Sequence, residues 1–302
     1  MPGNAIQEFI GSRFRRVITN TEDGVPPWLS IVAEGDDAGL YLPGDAPWVV
    51  HGNLATLIGG IRALLMQALH PGSLAGVAEH SRYEEDPLGR LAGTTRWLTI
   101  TTFGSTSAIA REAMRVNRMH DHVTGEYTTG QGELRSYRAA DPDLLLWVHA
   151  AFTDSFLTTH LMYANEEIPG GGDAYVAQWS KSVEPLGLTN CPMSVAELNE
   201  CVANYWDSGT LAVTDRTRRV VQFIKSPPLS KLALGVYGGL FQAAAASLPE
   251  HFQQALDLDP KPLSVVQPMT RGLMRTMQLA LGPSSPIEEA AIARLKRIGA
   301  ID

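Results

Sequence analysis

The chain has 302 residues, 44% of them hydrophobic, and a formal net charge of −8 at pH 7. That apolar content supports a buried core. The acidic balance excludes unaided binding to nucleic acid or to an anionic membrane surface, both of which need basic patches. Two cysteines, Cys191 and Cys201, form neither a zinc spacing nor a disulfide framework, so a reducing compartment is expected. The N-terminus, MPGNAIQEFIGSRFRRV, has no apolar run of signal-peptide length. No stretch reaches ~18 uninterrupted apolar residues. A cytoplasmic protein without membrane insertion is therefore expected.

In chain order, residues 29–42 read as a short hairpin or a plain loop. Residues 53–69 read as a helix that stops at His70-Pro71, because proline cannot continue it. A short helix over 73–82 follows. Asp86-Pro87 pairs an N-cap with proline at the first helical position, so a helix should run from 87 to about 102. Ser105 or Ser107 caps the next, from 107 to about Val123, with Gly125 ending it. Residues 126–138 read as a second hairpin or loop. Asp141-Pro142 repeats the cap-plus-proline signature and opens a helix over 142–163. The 164–193 stretch, with IPGGGD, reads as a connector or a substrate-side loop. Ser194 to Glu197 form a capping box for a helix over 194–206. Weaker signals open helices near Thr214, Ser230, Pro262 and Ser285. The fold class expected is all-α: one domain over 1–302, of about ten helices.

The chemistry concentrates between Arg90 and His149. Arg90, Thr94 and Trp97 lie at i, i+4 and i+7 and share one helix face. Gly93 sits beside them, although a mid-helix glycine costs roughly 1 kcal/mol relative to alanine. A cation, a gap, a hydroxyl and an indole on one stripe suit a planar, apolar, anionic cofactor such as haem, with histidine as axial ligand. Trp97 is expected in the core in either case. Three histidines are candidates: His120, His122 and His149. His120 and His122 point different ways on a helix, so a non-haem site built on both would need the helix to have ended. His149 falls in Leu144–Phe156, apolar nearly all round and thus buried, where it needs a hydrogen-bond partner or a metal. Glu-x-x-His, HExxH, GxSxG, P-loop and GxGxxG patterns are absent, which removes the standard di-iron, zinc-protease, hydrolase and nucleotide-binding readings.

The ordered blocks LLMQALHP, AGVAEHS, DPLGRLAGTTRW, RVNRMHDHVTG and DPDLLLWVHAAFTDS resemble those of the rubber oxygenase (latex clearing protein) and MpaB-type oxygenase family. The resemblance covers residues 55–215; the helices of 216–302 would pack on that core. It implies an all-helical fold, haem b, and an oxygenase or oxidase using dioxygen or a peroxide on an apolar or unsaturated small molecule. It also implies roles for individual residues. Arg90 and Thr94 match the arginine and threonine beneath the haem. His120 matches the proximal ligand, and His149 a further pocket histidine. The latex clearing proteins carry a lysine, able to close the distal face of the iron, where Gly93 stands here. The implied cofactor-binding set is Arg90, Gly93, Thr94, Trp97 and His120, with His120 on the metal and Arg90, Thr94 and His149 at the reaction. The alternative is a helical protein that binds haem or an apolar ligand without catalysis.

Overall fold

Pro71, Pro87, Pro142 and Pro286 each stand at the first position of a helix, where the fixed φ of the ring is preorganised and the missing N–H costs no bond. The computed structural model describes residues 28–80, 87–229, 231–281 and 285–302, without the side chains of 77–80, 87–92, 231, 232 and 280. The helices are α1 (Leu29–Ala33), α2 (Ala46–Gly52), α3 (Ala55–Gln67), α4 (Pro71–His80), α5 (Pro87–Phe103) and α6 (Thr106–His122). A hairpin follows, β1 (Thr124–Thr128) antiparallel to β2 (Leu134–Arg138), in a register that pairs Glu126 with Ser136. Then come α7 (Pro142–Tyr163), α8 (Gly171–Trp179), a 3₁₀ segment (Ser180–Leu186), α9 (Val195–Asp207) and α10 (Asp215–Lys225). The last four are α11 (Lys231–Ala246), α12 (Glu250–Ala255), α13 (Leu263–Leu281) and α14 (Pro286–Arg297). The fold is all-α, with the single small hairpin among the described residues.

The centre is the pair α3 and α7. They approach so closely that a Cβ on Gly59 would stand 2.6 Å from Phe156 Cδ1 and 2.8 Å from Thr159 Oγ1. Arg62 of α3, 2% exposed, donates to Asp154 at 2.6 Å and to Ser155 at 2.8 Å on α7. It also donates to the Ser247 carbonyl beyond α11 at 3.3 Å. The main hydrophobic core surrounds this pair. It runs from Ala55 and Trp147 through Tyr205 and Val221 to Phe252 and Met274. Among the described residues no single helix is long and apolar enough to cross a membrane; α2 and α3 pass only as a pair bent by 91°.

Several expectations need correction. Residues 29–42 hold no hairpin: α1 buries Val32, whose carbonyl accepts a 2.6 Å hydrogen bond from the buried Arg294 of α14. The 164–193 stretch is structured rather than a plain connector. Gly170 and Gly171 adopt φ of +73° and +78°, a left-handed turn from which α8 starts, and the 3₁₀ segment completes it. Helices α2 and α12 carried no sequence signal, and fourteen α-helices are described against about ten expected. The Ser194 box forms by half: Ser194 caps Glu197 N–H, while Glu197 accepts from Met193. Asp141 precedes α7, but its carboxylate accepts from Arg138 N–H rather than from the helix. His70 sits at a helix junction as a cap, its Nδ1 accepting from the Gly72 and Ser73 N–H groups at 3.1 and 3.2 Å.

Candidate functional site

Three helices turn the same kind of stripe toward one cavity. Gly93, Thr94, Trp97 and Leu98 of α5 lie at i, i+1, i+4 and i+5, as do Arg115, Val116, Met119 and His120 of α6. Leu144, Leu145, Val148, His149, Phe152 and Phe156 continue that period along α7. This spacing keeps side chains on one helix face. The cavity they wall has a volume of about 610 Å³, within the range of small-molecule and cofactor sites. Gln67, Ser73, Tyr137, Trp179, Ser182, Val183 and Leu186 also line it.

The structure brings together Gly93, Thr94, Trp97, His120 and His149, all of which line the cavity. The Arg90 side chain lies outside the described residues. Trp97 is half-buried in the cavity wall, which corrects its expected place in the core. At Gly93 a Cβ would meet nothing within 4 Å among the described residues, so their packing does not require this glycine, and Gly93 lines the cavity. His122 is exposed and bonded through Nδ1 to the Arg118 carbonyl at 2.7 Å. Among the described residues no group of three His, Cys, Asp or Glu side chains could hold a metal ion. The non-haem triad reading has no support there.

His120 is half-buried, and its Nδ1 is enclosed without a hydrogen-bond partner among the described residues. Burial holds its pKa below the ordinary value; Asp121 pulls it back up, and the Arg115 charge adds to the lowering. An enclosed imidazole nitrogen without a protein partner is costly unless a ligand engages it. His149 is 5% exposed. Its nearest side-chain partner, the Thr153 hydroxyl, is 3.5 Å from Nε2 and donates instead to the His149 carbonyl at 2.7 Å. Burial lowers the His149 pKa to about 4, so the ring is neutral at pH 7. His51 differs: both ring nitrogens are bonded, to Thr102 at 2.7 Å and to Tyr175 at 2.9 Å, and burial lowers its pKa to about 3. It is a satisfied core histidine.

These two depressed values set an acid limit. The unfolded chain takes up protons below the ordinary histidine pKa of ~6.5 that the folded rings refuse. Stability is therefore full above that pH and falls as pH drops toward 4 and 3. Each ring contributes up to ~1.4 kcal/mol per pH unit in that window. Urea midpoints measured from pH 7 to 4.5 should decline, and His51→Gln should flatten the decline. An equal slope in that variant would mean other groups set the limit.

Sequence reasoning missed Arg115, although it lies on the His120 stripe. Arg115 reaches Glu112 Oε1 through Nε at 2.9 Å and Nη2 at 2.6 Å. Arg96 of α5 grips the same carboxylate through Nε and Nη2, both at 2.9 Å to Oε2. Glu112 is 2% exposed. Burial pushes its carboxyl upward, but the hydrogen bonds and charges of Arg115 and Arg96 outweigh this and hold it below the usual range.

A second, more open groove of about 680 Å³ lies along α9 and contains Asp143, Cys191 and Cys201. Both cysteines are free thiols. Burial pushes Cys191 up to about 11 and raises Cys201 as well, so neither is a nucleophilic thiolate near neutral pH. The histidine-bearing cavity is the candidate site.

The family model described as ER-bound oxygenase mpaB/B'/Rubber oxygenase, catalytic domain, matches residues 48–279. The match includes every element that lines the cavity and extends through most of the C-terminal helices. No curated protein and no solved structure matches the chain.

Proposed function

Because the chain belongs to the mpaB/rubber oxygenase catalytic-domain family, we propose that it is a haem-b-dependent oxygenase acting on an apolar or unsaturated small molecule. The observation that carries this reading is the enclosed, unpartnered Nδ1 of His120 in the same cavity as the open space at Gly93. A flat ligand with a metal at its centre fits both features: His120 would hold the iron, and the gap at residue 93 admits a ring system close to α5. Arg90, on the family motif, would engage a propionate, since guanidinium presents a fork suited to carboxylate. When bound, haem would supply the activation of dioxygen or a peroxide, with His120 holding it and the cavity wall placing it.

The remaining roles fall to this chain's own side chains. Leu145, Val148, Phe152 and Phe156 present an apolar wall that excludes water and receives an apolar substrate. Thr94 lines the α5 side, where it places a polar side chain against the ligand. Neutral His149 can accept a proton at a ring nitrogen; with a pKa of about 4 it does not carry a standing charge into the apolar space.

The test is the absorption spectrum of the protein purified and reconstituted with haemin. A Soret band that shifts with cyanide or carbon monoxide is expected. A colourless protein that refuses haemin overturns the reading in favour of an apolar-ligand carrier, and bound metal without a Soret band would favour a non-haem site. Gly93→Lys should convert an open resting iron to a low-spin six-coordinate one and slow imidazole entry. A lysine stem can bring a neutral amine to the metal once burial depresses its pKa. An unchanged spectrum would place residue 93 away from the iron.

A further inference from the structure

Arg115 is the single permanently charged side chain among the described residues that line the cavity, and no carboxylate lines it. Its only hydrogen bonds go to Glu112 Oε1, from Nε and Nη2, which leaves Nη1 without a partner among the described residues. Glu112 cannot neutralise it fully, because that buried carboxylate is shared with Arg96 at 2.9 Å. The Arg96–Glu112–Arg115 group thus carries one net positive charge, held in fixed orientation at the wall of an otherwise apolar space. Arg115 is 44% exposed and Glu112 2%, so the carboxylate is the buried base and the guanidinium the presented edge. A cation fixed by its own buried carboxylate costs little further ordering when an anion arrives, and the fork geometry selects a planar carboxylate.

We infer that Arg115 forms a carboxylate subsite of the cavity, which anchors the acid end of an otherwise apolar ligand. The inference rests on the cavity being the ligand site proposed above, and it adds an anion handle on α6 distinct from Arg90 on α5. The carboxylate has two possible sources: a haem propionate, or the head group of a long-chain acid.

Two probe pairs separate these sources: haemin with its dimethyl ester, and, on haem-free protein, the fluorescent cis-parinaric acid with its methyl ester. One charge-assisted contact is worth about 10- to 100-fold in affinity. The wild-type protein should prefer the acid over the ester by that factor in at least one pair. Arg115→Gln should abolish the preference, and Arg115→Lys should keep part of it. A preference lost in the haemin pair assigns the subsite to a propionate; one lost in the parinaric pair assigns it to a substrate acid. Refusal of haemin with a surviving parinaric preference would overturn the haem reading and leave the subsite standing. Equal binding of acid and ester by the wild type, a preference that persists in Arg115→Gln, or binding of no probe would overturn the subsite. Arg115→Gln leaves Glu112 paired with Arg96, and an unchanged helical circular dichroism signal checks that the variant folds.

Discussion

Replacing His120, the proposed iron ligand, with alanine should abolish haemin binding while leaving the far-ultraviolet helical signal intact. Helix α6 does not depend on that side chain: Ser105 caps it at Ala108 N–H, and Ala108, Ile109 and Ala113 bury its inner face. The imidazole, by contrast, offers the one enclosed nitrogen on α6 that awaits a partner. Changes behind a metal ligand already cost 10- to 100-fold in affinity, so removal of the ligand should exceed about 100-fold. Haemin titration followed at the Soret band measures this. Full occupancy with an unchanged spectrum would move the assignment to His149, since His122 is exposed and bonded to its own helix.

The second large effect is on stability. Asp154→Ala should lower the unfolding free energy by about 3–5 kcal/mol, because it strands the charge of Arg62 in the interior. Arg62 is 2% exposed, and Asp154, at 2.6 Å, is its only ionised partner among the described residues. Ser155 and the Ser247 carbonyl remain, but as neutral acceptors they do not balance the charge. Urea denaturation gives the value. The paired replacement Arg62→Met with Asp154→Leu should be less destabilising than Asp154→Ala alone, since a buried ion pair exchanged for packed apolar groups is often neutral. A loss under about 1 kcal/mol in the single variant would mean that water reaches the guanidinium.

The α-helices that line the cavity were largely legible in the sequence, for a physical reason. Pro87 and Pro142 at the first position of their helices, and the Ser105 cap, are local signals that tertiary structure seldom overrides. They set the frames of α5, α6 and α7, and with them the stripes that converge on the cavity. Trp97, with an indole large enough for a core, was misplaced because burial depends on what stands opposite, and a cavity stands there. Helix α8 was hidden by its glycines, whose composition reads as a linker although two of them supply the left-handed turn from which the helix starts. Arg115 was missed because its meaning comes from Glu112 and Arg96. The Arg96 contact joins residues sixteen apart in the chain, on two different helices, a pairing no local pattern contains.

The close approach of Gly59 to Phe156 has a bearing on ligand size. Phe156 is a two-sided residue: one side of its ring lies against the α3 backbone, and the other faces the cavity. A side chain at position 59 would press on that ring, on the Phe156 backbone and on the Thr159 hydroxyl, so room for it comes from shifting α7 or from turning the ring toward the cavity. Residue 59 therefore acts as a shim behind the wall. It bears on the depth of the apolar end although it is not among the lining residues, so a larger residue there should shorten the molecule this cavity admits.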